Sequence, residues 1–383
     1  MLFVLCYVAF SVLRLVNSLS CIDDDGREVD WFVGYKLPSS FDGVFINPDQ
    51  RNWELSSKPI NSGGMMKNTY DAMYGLTGKP DAVFGMYNDE IPKKINNFTV
   101  DERDNSWWGH MKGAFAFDDS DTGFWVIHSI PKLSSSNTSY LYPSNGRTYG
   151  QHLLCITLKK SVLKSLATQL AISRPLFQST YISSSVKSKF PDLAKLLQNK
   201  KVVTSTQSKV IDLQSADGTF QMKHFSKSID FGKDLYADFV APTLKQSLAT
   251  ETWQHDGGMP SDCKHKYSVT NIKSIYIDAS QTEITNSHDH AKWAVTVPSK
   301  KKNTDGEQEA DGIDDSANWI CLGDINRQPH QKERGGGTMC IHDKQLWQSF
   351  YKLIRSIEAC PRSYFHRLLT PFWSLIEIIQ VYA

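Results

Sequence analysis

The chain contains no Gly-x-Ser-x-Gly and no Gly-x-x-x-x-Gly-Lys-Ser/Thr. A serine hydrolase and a nucleotide-driven motor therefore lack their main signals. It contains no Cys-x-x-Cys, which argues against a zinc ribbon and a thioredoxin-like redox centre. His288 and His290 form the one close histidine pair, and no Cys or His cluster joins them to complete a metal site. The formal charge is only +1, from 42 basic and 41 acidic residues, so no overall basic surface advertises nucleic acid at neutral pH. After the first twenty residues no apolar stretch is long enough to span a bilayer.

What is present is an ordinary globular composition. With 383 residues, 40% hydrophobic and 11% aromatic, the chain can bury a large core and has room for two domains or two fused halves. Eleven histidines would add roughly ten positive charges near pH 5 at unperturbed pKa values, so an anionic polymer would be attracted chiefly in acid.

Residues 1–20 read as a signal peptide, with an apolar run from Leu2 to Leu13 and the small-residue pattern Ser18-Leu19-Ser20 before Cys21. Its removal takes Cys6 and leaves Cys21, Cys155, Cys263, Cys321, Cys340 and Cys360. An even set in an oxidising route suits three disulfides, with fifteen possible connectivities. Asn97 and Asn137 stand in glycosylation triplets. The expected route is secretory, ending in the lysosome or outside the cell.

Val29–Pro38, Val83–Tyr87, Gly109–Phe117, Gly123–Pro131 and Tyr149–Thr157 read as strands, making the first half strand-rich. Lys160–Ile172, Lys187–Lys200 and Ile229–Ser247 read as helices, the last interrupted at Pro242. Strands return at Ile275–Ile277, Trp293–Val297 and the apolar run ending at Arg327, and Leu346–Ile357 has helical spacing. The charged segment Ser299–Ser316, with Lys300-Lys-Lys302, reads as a solvated loop rather than a DNA grip. Arg334-Gly-Gly-Gly-Thr338 reads either as backbone N–H groups for a phosphate or as a flexible turn.

Lys follows His at a spacing of two in four places: His110/Lys112, His290/Lys292, His330/Lys332 and His342/Lys344. Composition alone would give about one such pair, so context must separate them. The first two lead into aromatic and β-branched runs that read as buried strands, where this spacing puts imidazole and ammonium on one face, able to reach one anion. His330 lies in a polar loop and His342 opens an amphipathic helix, so both read as solvated surface. Asp118 and Asp324 read equally as site carboxylates and as turn caps.

Taken in order, Cys21 with Val29–Pro38, Gly109-His-Met-Lys-Gly113, His128-Ser-Ile-Pro131, Tyr149-Gly-Gln151, Asp289-His-Ala-Lys-Trp293, Gly323-Asp-Ile-Asn-Arg327 and Arg334–Thr338 resemble the deoxyribonuclease II family from about Cys21 to Cys360. The resemblance implies a phospholipase D-like α/β fold: two similar halves meeting at one site, each supplying a His-x-Lys. The halves would be residues 21–165 and 166–360, with 361–383 a C-terminal extension of unassigned role. It further implies that His110, Lys112, His290 and Lys292 form the catalytic group and that Asn326 takes the place of the superfamily's downstream Asn. His128-Ser129 stands where the first half would carry Gly-Ser-x-Asn, and His128 is a supporting candidate. Disulfides Cys21–Cys155, Cys263–Cys360 and Cys321–Cys340 are implied, and the substrate is DNA, with no cofactor and no metal.

Chemistry reaches the same four residues independently. Metal-free phosphodiester cleavage needs a nucleophile, an acid for the leaving alkoxide and fixed positive charge on the phosphate oxygens. Neighbouring lysines would keep the attacking imidazole neutral by like-charge repulsion. Two other readings compete: a phospholipase D-type lipid phosphodiesterase, disfavoured because no basic interfacial helix is apparent, and a catalytically silent secreted nucleic-acid-binding protein.

Overall fold

The computed structural model describes residues 18–90, 107–133, 139–255, 257–298 and 317–360. Residues 1–17 of the expected signal peptide, Asn97, Asn137, the charged segment 299–316 and the extension 361–383 lie outside them.

In chain order the strands are β1 (Cys21–Ile22), β2 (Glu28–Val29), β3 (Trp31–Lys36), β4 (Gly43–Ile46), β5 (Glu54–Leu55), β6 (Val83–Asn88), β7 (Lys112–Phe117), β8 (Thr122–His128), β9 (Gln151–Lys159) and β10 (Phe177–Ile182). They continue with β11 (Ser208–Gln214), β12 (Gln221–Lys227), β13 (Ser247–Glu251), β14 (Val269–Ile277), β15 (Thr282–Thr285), β16 (Trp293–Val297), β17 (Trp319–Gly323), β18 (Gly336–His342) and β19 (Ile354–Ile357). The α-helices are α1 (Gly64–Tyr74), α2 (Leu163–Ser173), α3 (Ser184–Lys189), α4 (Pro191–Leu197), α5 (Ala241–Leu244) and α6 (Lys344–Tyr351).

Two large sheets result. One has the order β10-β6-β7-β8-β9-β3-β4-β5 and the other β11-β12-β18-β17-β16-β13-β14-β15, with β19 paired to β14. The strand run β6-β7-β8-β9 corresponds to β13-β16-β17-β18, and a helix follows the last strand of each run, α2 in one half and α6 in the other. This is the two-half α/β architecture that the family resemblance implies. The expected division at residue 165 does not follow the sheets, because β10 lies beyond it and pairs with β6.

Period-two alternation explains how both sheets are buried on two faces. Phe115 and Phe117 of β7, Trp125 and Ile127 of β8, Trp293 and Val295 of β16 and Ile320 and Leu322 of β17 fill one core shared by both halves. Their alternates turn outward: Ala114, Ala116, Phe124 and Val126 pack with α1, while Ala294 and Cys321 pack under the helical segment Tyr236–Val240. Disulfides join Cys21 to Cys155, Cys263 to Cys360 and Cys321 to Cys340.

Several local expectations change. The helix expected over Lys187–Lys200 is two, because Pro191 has no N–H to continue a ladder and instead starts α4. That expected over Ile229–Ser247 shrinks to Tyr236–Leu244, with Pro242 tolerated in the first turn of α5 and Ser247 already in β13. Asp343, not His342, caps α6 by accepting from Leu346 N at 2.7 Å, and His342 ends β18. Beyond α6 the segment Ile354–Ile357, with a β-branched Ile at each end, leaves helix to pair with β14, Ile357 opposite Ile272.

Candidate active site

His110 lies two residues ahead of β7 and His290 three ahead of β16, so both pairs sit where strands begin rather than inside them. The reason is that their backbone N–H groups are used across the molecule. His110 N donates to Gly335 O at 2.8 Å, and His290 N to Gly150 O at 2.9 Å. Gly335 directly precedes β18 and Gly150 directly precedes β9, so each pair is held by the opposite half.

The side chains repeat this exchange. Nδ1 of His110 donates to the carbonyl of Asp324, just after β17, and Nδ1 of His290 to the carbonyl of Ser129, just after β8, both at 2.8 Å. A carbonyl only accepts, so Nδ1 carries the proton in each ring and Nε2 is the nitrogen left for chemistry. Lys112 N donates to Asp324 Oδ1 at 3.3 Å and Lys292 N to His152 Nδ1 at 3.1 Å. Gln151 Oε1 accepts from Ser129 Oγ at 2.6 Å and lies 3.3 Å from His290 Nδ1. His110, Lys112, His128, Ser129, Lys292 and Asp324 line one cavity.

The two ammonium groups differ. Lys112 Nζ lies 2.6 Å from Asp89 and 3.4 Å from Glu90, and Arg334 meets the same Asp89 at 3.1 Å. Burial opposes the Lys112 charge, but these carboxylates overcome it and hold its pKa above the ordinary lysine value. Lys292 Nζ instead donates to the His290 carbonyl at 2.8 Å and stands 3.4 Å from His290 Nε2. Burial first, then Lys112, pushes its pKa down to about 7.

Both imidazoles are held well below the usual histidine range. Burial is the larger cause, with the lysines adding repulsion, and at His110 the Asp89 carboxylate pulls the other way. Burial also lowers His128 and His224 to about 3 and His152 well below the ordinary value. Five of the eleven histidines thus resist protonation in the folded protein, which cuts the large acid-induced charge expected from composition. Burial raises Asp324 to about 7 and Asp289 to about 6.

The remaining candidates separate. His128 reaches the site: its Nδ1 accepts from Ile130 N at 3.0 Å, and its buried Nε2 has no partner. Asn326 is buried with Oδ1 unpartnered and, like His290, is not among the residues that line the cavity. Asp118 caps a turn, accepting from Ser120 N at 2.9 Å, whereas Asp324 is in the site. His330 is exposed and His342 packs on Trp319. The Gly335–Gly337 run is neither phosphate loop nor free turn: a Cβ on Gly335 would stand 2.2 Å from Ser173 O and one on Gly337 2.2 Å from Phe225 O, so these glycines let β18 pass close to other backbone. Sequence reading missed Asp89 and His152, which carry no local pattern; Ser129 and Gln151 lay in quoted motifs without an assigned role. Among the described residues no group of three or more His, Cys, Asp or Glu is arranged to hold a metal ion.

The fold and site define a two-half α/β protein whose paired imidazoles and ammoniums are held by contacts that cross between the halves. The family model described as Deoxyribonuclease II matches residues 20–360. The chain is 32% identical to rat deoxyribonuclease-2-beta over 93% of this chain and 97% of the relative, and 31% identical to Caenorhabditis elegans deoxyribonuclease-2 over 93% and 98%. The chain belongs to the deoxyribonuclease II family, and is a phosphodiester hydrolase of that kind. A solved yeast tyrosyl-DNA phosphodiesterase aligns over 62% of this chain and 67% of its own, at TM-score 0.28 and 8% identity, a likeness too slight to bear on the fold.

Proposed function

We propose that this protein is an acid endonuclease of the secretory route, lysosomal or secreted, that hydrolyses DNA without a metal through a phosphohistidine and leaves 3′-phosphate ends. The observation that supports the reading is the exchange of contacts between halves, which ties up Nδ1 of each imidazole and leaves both Nε2 atoms for chemistry, with Lys112 and Lys292 lining one cavity with His110. One Nε2 bonds to phosphorus as the P–O5′ bond breaks, and the other imidazole gives its proton to the departing 5′ oxygen. Water, deprotonated by that second imidazole, then attacks phosphorus and releases the 3′-phosphate and the first imidazole.

Lys112 and Lys292 hold the non-bridging oxygens as charge builds. His128 Nε2, buried and unpartnered, is placed to approach the same phosphate, and Asn326 supports the second half of the site. Burial, with repulsion from the lysines, keeps the imidazoles neutral, and a bound anion offsets both by favouring the charged form, raising the pKa of the one that must act as acid. The three disulfides suit an oxidising compartment, and Asn97 and Asn137 would be glycosylated there. Purified protein should relax and fragment plasmid in EDTA at about pH 5, where the acid imidazole can be charged. Intact plasmid under those conditions would sink the reading.

A further inference from the structure

The two halves differ at one equivalent position. In the first, Asn88 pairs with Lys112, so Asp89 is the next residue out of β6, and it takes the ammonium. In the second, Glu251 pairs with Trp293. One further step of that antiparallel register sets Thr252 opposite Lys292, so Trp253 stands where the first half has its carboxylate. Among the described residues no carboxylate lies within ion-pair distance of Lys292, and by register the equivalent of Asp89 is an indole.

That indole belongs to an aromatic group. The Trp253 ring centroid is 5.4 Å from the His290 ring at 71°, and 4.6 Å from the Tyr149 ring, edge to face. Exposed His255 lies flat on Trp253, with centroids 5.1 Å apart and planes at 12°. The loop bearing these rings is anchored by a buried arginine from the Gly323–Arg327 motif. Arg327 N donates to Thr252 Oγ1 at 3.3 Å, Arg327 O accepts from Met259 N at 2.8 Å, and Nη2 donates to Pro260 O at 3.2 Å. The guanidinium is itself fixed by Asp234 at 3.0 Å.

We propose that Trp253, with His255, is a nucleobase site. It stacks the base of a nucleotide adjoining the phosphate held between His110 and His290. An aromatic face beside a cationic cleft is how strands are held without sequence preference, since every base has a π-face. The spared charge of Lys292 meets the phosphate while the indole meets the base. The assignment rests on the nuclease reading.

The test uses single-stranded oligodeoxynucleotides with one cleavable linkage and either a normal or an abasic nucleotide on its 5′ or 3′ side. Removing the base on one side should lower wild-type kcat/KM about tenfold. In Trp253→Ala that penalty should shrink to within about twofold, the mark of a shared interaction, and Trp253→Phe should keep part of it. The same comparison of Kd by fluorescence anisotropy, in His110→Ala and in His110→Ala with Trp253→Ala, reads base stacking without cleavage. If the wild type cleaves neither strand but the affinity ratio depends on Trp253, the nuclease reading fails and the base site stands. Equal penalties with and without the indole, or no penalty in the wild type, overturn the base site.

Discussion

Lys112 and Lys292 hold equivalent places in two similar halves, both almost fully buried, at 2% and 1% exposure. Yet direct ion pairs with Asp89 and Glu90 keep one charged beyond the ordinary lysine range, while burial and the Lys112 charge outweigh the same, more distant carboxylates at the other and bring it near the point of losing its proton. The motif therefore does not set the chemistry of its own lysine. Its surroundings do, and they differ one residue past each lysine's strand partner, a carboxylate (Asp89) after Asn88 and an indole (Trp253) after Thr252. One half-site is a fixed, internally compensated charge, and the other keeps its charge for what binds.

The strongest way to break this comparison is to show that the halves work separately. As parts of one unit, His110→Ala and His290→Ala should each cut DNA cleavage by at least about 10⁴-fold, and the double variant should be hardly worse. His342→Ala should stay near wild type. Partial, additive losses in folded single variants, checked by thermal melt, would mean two sites.

The lysines should differ in stability more than in activity. Lys112→Met leaves the buried Asp89 with Arg334 alone and should cost about 3 kcal/mol in urea unfolding. Lys292→Met removes a buried charge that no carboxylate neutralises and should leave stability within about 1 kcal/mol or raise it. Equal costs would show that Asp89 does not distinguish the halves.

The smallest expected effect is in pH. Lys292, with its pKa down at about 7, is an ammonium below that value and neutral above it, so affinity for inorganic phosphate should fall as pH rises from about 6 to 8, approaching tenfold per unit at the top. Lys292→Arg should remove that fall, because a guanidinium stays charged, whereas Lys112→Arg should not. Competitive inhibition by phosphate across this range measures it. A fall that persists in Lys292→Arg would assign the titration to another group, with Asp324 at about 7 the first to test.

The strands that matter were legible because their alternation is dense. Gly113-Ala-Phe-Ala-Phe117 and Trp293-Ala-Val-Thr-Val297 announce β7 and β16, and context rightly left His330 outside the cavity. The failures have local causes. Gly336 to His342 forms a central strand although its glycines suggest a turn, because β18 must pass within touching distance of Ser173 and Phe225 backbone. Asp118 and Asp324 look alike in sequence; one caps a turn, and the other lies against Lys112 N from across the molecule.

The sequence by itself determined the two His-x-Lys pairs, the strands they lead into, the even cysteine set and the ordered motifs of the family. These follow from residue identity and short-range periodicity, which a linear reading contains. Tertiary structure alone decided that His110 is fixed by Asp324 and His290 by Ser129, that Lys112 is neutralised and Lys292 is not, and that Trp253 stands beside the site. The contacts that fix the two imidazoles join residues more than a hundred positions apart, His110 to Asp324 and His290 to Ser129. Burial, which moves every pKa in the cavity, belongs to no residue until both sheets have closed around it.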